Sequence, residues 1–187
     1  MQTAPDSPSA PLLAALEAAE GGALAPFGVC VAAGIDMPLL EVAPQHLFAC
    51  MRALRDDAAL SFEQLTYVTA TDETPKEPRF RVVYHLYSFR HGWRLRVATS
   101  VTEEAPNVAS LVPIYPGANW MEREVFDMFG ITFGGHPELR RILMPEGYMY
   151  HPLRKEFPLE GIAPDRLYRE WEKEAHAEGS RENGGAH

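Results

Sequence analysis

No lysine or arginine precedes Arg52 in this 187-residue chain. A secretory leader needs a positive n-region before its apolar core, and a mitochondrial presequence needs arginines, so the N-terminal region reads as neither. Long hydrophobic runs are also missing. Glu17, Glu20, Gly21, Gly22, Pro26 and Asp36 break the one apolar stretch, well short of the roughly 20 residues a bilayer-spanning helix needs. Cysteine is scarce: Cys30 and Cys50 are the only two, with no C-x-x-C. An iron–sulfur cluster takes four thiolates and a structural zinc four ligands rich in Cys and His. Both cysteines are read as small buried apolar residues rather than a disulfide. Positive charge is short overall, with 17 Lys and Arg against 26 Asp and Glu, a net charge of -9. An acidic chain repels phosphate, which argues against nucleic acid as a partner. The expectation is a cytosolic chain that reaches a membrane only through a partner.

The composition, 46% apolar and 23% charged, is that of a globular domain with a real core. Residues 1–8 read as disordered. Ser9 can cap a helix in which Leu12, Leu13 and Leu16 share a face and which Gly21-Gly22 ends. FGVCVAAG and PLLEVA read as strands. Pro44 opens a helix with Leu47, Phe48, Met51 and Leu54 at helical spacing. LTYVTATDE reads as a strand, and RFRVVYHLYSF and GWRLRVATSV alternate as an antiparallel hairpin around His91-Gly92. Phe80, Val82, Tyr84 and Leu86 would face inward with Trp93, Leu95, Val97 and Val101, and Arg94 and Arg96 outward. A helical segment is expected around Asn107–Val112. The fold class is α+β, helices packed on a mixed or antiparallel sheet, with a compact domain over 9–130. Prolines at 137, 145, 152, 158 and 164 then leave an extended partner-wrapping arm over 131–164. A short helix in LYREWEKEAHAE and a disordered tail complete 165–187.

The stretch EREVFDMFGITFGGHP, Glu122 to Pro137, concentrates the charge. Asn119 and Glu122 have the spacing of a capping box, and Gly130 fits a left-handed helix end. At about 100° per residue, Met121, Val125, Phe126, Met128 and Phe129 form one arc. Trp120, Arg123, Glu124 and Asp127 form the other, with Arg123 and Asp127 spaced to pair. General acid/base catalysis by Glu122, Glu124 or Asp127 with His136 needs two groups of separated pKa around a substrate pocket. Arg123 would keep the neighbouring carboxyls ionised, and no Ser or Cys nucleophile is close in sequence. A metal site could use Glu124, Asp127 and His136, but the H-E-x-x-H and E-x-x-H spacings are absent. A solvated face and a docking face remain. The docking face is favoured by Trp120 and by HPELRRILMPEGYMYHPLRKEFPL, whose apolar residues cannot all bury against one another in an extended segment.

GANWMEREVFDMFGITFGGHPELRRIL and the later HPLRKEFPL closely resemble the 30-kDa subunit family of respiratory complex I, whose bacterial members belong to NADH:quinone oxidoreductase. The resemblance covers roughly residues 38–160. Tyr150 and Glu156 stand where members commonly have Gly and Asp. It implies a scaffold in the hydrophilic arm of a proton-translocating complex on the cytoplasmic face of the bacterial inner membrane. Such a scaffold holds no cofactor, catalytic residue or metal of its own, FMN and iron–sulfur clusters belonging to partner subunits. It binds mainly the large 49-kDa-type quinone-site subunit, along with other hydrophilic-arm subunits. The motif residues carried over are Glu122, Arg123, Glu124, Asp127, His136, Pro137, Arg141, Pro152, Leu153, Arg154 and Lys155, expected to orient the wrap and the contact between subunits. The same family serves membrane-bound NiFe hydrogenases and F420H2 dehydrogenases. From a different class, a stand-alone acid/base enzyme stays as the alternative.

Overall fold

The computed structural model describes residues 10–145 and 147–161. The Ser9 cap, the disorder of 1–8 and the helix expected after 165 lie outside them. Helix α1, Ala10–Glu20, buries Leu12, Leu16 and Ala19 and stops at Gly21. Two short strands follow, β1 (Cys30–Ala32) and β2 (Leu39–Glu41). Pro44 opens a single 3-10 turn that leads into α2, Leu47–Asp56, with Leu47, Cys50, Met51 and Leu54 buried at helical spacing. Three nine-residue strands come next: β3 (Gln64–Asp72), β4 (Phe80–Ser88) and β5 (Trp93–Val101).

These strands form one mixed sheet in the order β1-β2-β5-β4-β3, parallel only between β2 and β5. The β4–β5 hairpin has the expected register, Tyr84 opposite Val97 and Leu86 opposite Leu95. Phe80, Val82, Tyr84, Leu86, Leu95 and Val97 are buried in one core with Leu16, Met51, Val125 and Phe129 from the helices. The other face carries charge. Arg81 pairs with Glu41, and Arg96 with Asp36. An antiparallel sheet tolerates one wet face. Cys30 lies exposed on β1, whereas Cys50 is buried in α2. The expectation of two buried cysteines therefore holds for one of them, because β1 is an edge strand.

The segment expected as a helix around Asn107–Val112 is instead strand β6, Asn107–Ala109. It pairs in parallel with β7, Thr132–Gly134, which follows helix α3, Ala118–Phe129, in the chain. Such a β–α–β crossover explains why a three-residue strand persists: its partner is supplied by a segment 25 residues away. It also places a paired strand beyond Gly130.

Candidate functional site

Helix α3 organises the described segment that follows it. Its N-cap is Gly117, with no side-chain capping bond. The capping box expected from Asn119 and Glu122 does not form, because Glu122 points into the core. Its Oε2 accepts from Ser110 Oγ at 2.6 Å and its Oε1 from the Leu111 N–H at 2.7 Å. Glu122 thus pins the end of β6 to the helix. The carboxyl is fully buried, and burial pushes its pKa up to about 7 against the pull of Ser110 and Leu111. Tyr84, fully buried on β4, is raised by burial and by the Glu122 charge.

Asp127, two turns from Trp120, is the second fully buried carboxyl. Its Oδ2 accepts three successive backbone N–H groups, Ile142 at 3.0 Å and Leu143 and Met144 at 2.8 Å each. Its Oδ1 takes Arg141 Nη1 at 2.6 Å. Successive N–H groups turned to one anion make a nest; here the anion is the protein's own. Burial pushes the Asp127 carboxyl up. The Met144 and Leu143 N–H groups, the Arg141 guanidinium and the Ile142 N–H outweigh it and hold the group below the usual carboxylate range.

The spacing of Arg123 and Asp127 predicts a pair across one helical turn, and that pair does not form. Arg123 Nε donates instead to the carbonyl of Arg140 at 3.1 Å and its Nη2 to that of Arg141 at 3.3 Å. The loop 138–144 lies across this side of the helix. It supplies the N–H nest and Arg141 to Asp127 and the carbonyls to Arg123, so each charge meets a better partner than its helical neighbour. Much of the charged arc is covered by the chain itself.

The C-terminal end of α3 is closed by the same arm. A helix leaves its last carbonyls without intrahelical partners. The Asp127 carbonyl accepts His151 Nδ1 at 2.9 Å, Met128 accepts the Leu153 N–H at 3.1 Å, and Phe129 accepts Arg154 Nε at 2.6 Å. Arg141 and Arg154 bring positive charge to the negative end of the helix dipole. The close fit needs Gly130. Its φ is +73°, and a Cβ there would stand 2.6 Å from both Arg154 Nη2 and His151 Nε2. The left-handed end expected at Gly130 is observed.

Beyond Arg154 the arm crosses to the β3–β4 loop. The Lys155 N–H donates to Asp72 Oδ2 at 2.9 Å, and Lys155 Nζ to the Thr74 carbonyl at 2.5 Å. Buried Arg79 gathers Asp72 at 2.7 Å, Glu103 at 2.5 Å and Glu156. Arg79 holds Asp72 far below the usual carboxylate range, against burial. Sequence reasoning does not find Arg79, Asp72, Ser110 or the steric role of Gly130. Arg79 and Glu156 stand 77 residues apart, which leaves no local pattern, although Glu156 keeps the carboxyl that this latch requires.

The expected site residues therefore divide. Glu122, Arg123, Asp127, Arg141, Arg154 and Lys155 hold the chain to itself. His136 Nδ1 accepts the Glu138 N–H at 3.0 Å, so its Nε2 donates to the Asn119 carbonyl at 3.1 Å. Pro137 and Leu153 are exposed, and Glu124 and Pro152 half-buried. Ser110 supplies the hydroxyl that sequence spacing does not place near the carboxyls, yet Ser110 and Glu122 are both buried. Among the described residues no histidine bonds either of them. Nor do three His, Cys, Asp or Glu side chains among the described residues group to hold a metal ion.

The family model described as "Respiratory-chain NADH dehydrogenase, 30 Kd subunit" matches residues 40–163. The chain belongs to that family. An NADH-quinone oxidoreductase subunit from Coxiella burnetii (strain Dugway 5J108-111) is 41% identical over 162 residues, 70% of this chain and 71% of its own. Its counterpart from Bordetella avium is 48% identical over 143 residues, 68% and 69% of the two chains. A solved trypsin-resistant fragment of Nqo5 superposes with a TM-score of 0.56 at 31% identity, over 67% of this chain and 99% of the fragment. The membrane-bound sulfane sulfur reductase, an archaeal respiratory membrane complex, contains a chain of the same fold. Its TM-score is 0.62 at 22% identity, over 83% of this chain and 91% of that one. One Candida albicans relative, 46% identical over 135 residues, 72% of this chain and 48% of its own, is named an iron-sulfur protein. This chain has two cysteines, Cys30 exposed on β1 and Cys50 buried in α2.

Proposed function

We propose that this chain is a scaffold subunit in the hydrophilic arm of a proton-translocating NADH:quinone oxidoreductase. It supports electron transfer from NADH to quinone by docking the 49-kDa-type quinone-site subunit. The FMN and iron–sulfur clusters then sit in other subunits, and the chain is held at the cytoplasmic face of the bacterial inner membrane through the complex. Among the described residues no helix is long and apolar enough to cross a membrane.

One observation carries this reading. The charged motif is spent inside the chain, clamping the arm to α3 and to the β3–β4 loop. The arm's outer side keeps Leu143, Met149, Tyr150 and Leu153 exposed, and α3 adds exposed Trp120. Exposed apolar groups concentrated on one fixed segment mark a protein interface. Glu122 is buried and Asp127 is engaged by the arm, which favours the scaffold reading over a stand-alone acid/base enzyme. A hydrogenase or F420H2 dehydrogenase setting keeps the same scaffold role with a different input module; the names of the relatives favour the NADH-linked one.

The test is Arg123→Ala. It frees the Arg140 and Arg141 carbonyls and loosens the arm, so the amount of assembled complex should fall while turnover per assembled complex stays at the wild-type value. Normal assembly with lost turnover would contradict the scaffold role.

A further inference from the structure

Trp120 takes no part in the clamp, yet the clamp holds it. Trp120 is 65% exposed. The Arg123 guanidinium lies over its ring, 5.1 Å from the centroid. Arg123 is itself fixed by the carbonyls of Arg140 and Arg141. One face of the ring is therefore backed by a cation–π contact, while most of the indole stays open. Glu124, one turn along the helix, makes no ion pair among the described residues. Leu143, whose N–H is held by Asp127, is 58% exposed.

Interface anchors are most often tryptophan, tyrosine or arginine. A ring already held in place loses little freedom when a partner closes over it, so more of its burial appears as affinity. An unpaired carboxylate beside such a ring selects a partner with the opposite charge at that point. A second copy of this chain fits poorly. A two-fold interface puts the same patch on both sides, so it would bring two unpaired Glu124 carboxylates, one from each copy, into one interface.

We propose that Trp120 is the anchor of the docking surface. It enters an apolar socket on the partner subunit whose rim presents a lysine or arginine to Glu124. This rests on the docking reading above and adds to it the residue that dominates the contact and the chemistry of the surface that receives it.

The experiment compares Trp120→Ala, Trp120→Phe, Glu124→Lys and a triple variant with Leu143, Met149 and Leu153 each changed to serine. Each full-length chain replaces the native subunit in its host. Assembled complex is read on native gels and by co-purification from membranes, and the melting temperature of the free chain is read separately. Trp120→Ala should melt like the wild type, because the indole is mostly exposed. It should weaken association about 30-fold, the loss at an interface anchor. Trp120→Phe should recover part of that loss, and Glu124→Lys should reproduce much of it through like-charge contact. Wild-type assembly of Trp120→Ala overturns the proposal. If the triple variant then fails to assemble, docking stands without Trp120; if it also assembles, the docking reading falls with it. A Trp120-dependent dimer of the free chain would overturn the choice of occupant.

Discussion

Replacing Asp127 with asparagine keeps the volume and removes the charge on which the arm is organised. The carboxylate accepts four hydrogen bonds, three from the backbone N–H groups of Ile142, Leu143 and Met144 and one from Arg141. An amide has one acceptor oxygen, and its NH2 group would face donors. Breaking a buried charge pair by changing one partner costs about 3–5 kcal/mol. Here that cost falls on the closed state of the arm, since the freed N–H groups regain water when the loop lifts. At about 1.4 kcal/mol per tenfold, the open fraction should rise by roughly a hundredfold to a few thousandfold. Native-state amide exchange reads this directly. Exchange of Ile142, Leu143 and Met144 should accelerate by that factor in Asp127→Asn, while β4 and β5 amides change far less. The pH dependence has a fixed sign. Asp127 is held below its unfolded value, near 3.9, so its contribution is complete above that value and disappears as pH falls through the folded one. Wild type and variant should converge in acid. Equal protection of the three amides in both proteins at neutral pH would refute the nest.

The other buried carboxyl has the opposite sign. Glu122 is raised to about 7, so the folded state holds a proton the unfolded chain has lost. Stability should fall as pH rises from about 4.5 to 7, by up to about 3 kcal/mol; Glu122→Gln should remove that slope in thermal melts, and an unchanged slope would assign it elsewhere. At Gly130, alanine meets a φ of +73° and two side-chain nitrogens at 2.6 Å. Strain of about 1 kcal/mol plus displacement of His151 and Arg154 should lower the melting temperature by several degrees, at about 2–4 °C per kcal/mol for a chain of this size. A wild-type melt would refute the close approach.

The sheet is legible in the sequence because local rules govern it. Alternation in β4 and β5 sets which residues face inward, and Tyr84, Leu86, Leu95 and Val97 are buried accordingly. Helix α3 and its end at Gly130 are legible for the same reason. β6 is not, since NVASLV carries no signal that Thr132–Gly134 will pair with it across a helix. The charged arc of α3 reads as solvent- or partner-facing, because helical geometry alone shows only which residues share a side. What covers that side comes from residues 14 to 18 positions away, through backbone N–H and carbonyl groups that sequence does not distinguish. The residues of the family pattern are visible in the sequence; the direction in which Glu122, Arg123 and Asp127 point is not.

The scaffold role is tested most directly by co-purification. The full chain, tagged at its N-terminus, is extracted from host membranes in mild detergent, and the proteins that accompany it are identified by mass spectrometry alongside an NADH:quinone activity assay. The account predicts recovery with a 49-kDa-type quinone-site subunit, with flavin and iron–sulfur subunits, and with activity. Recovery of the chain alone from the soluble fraction would contradict it.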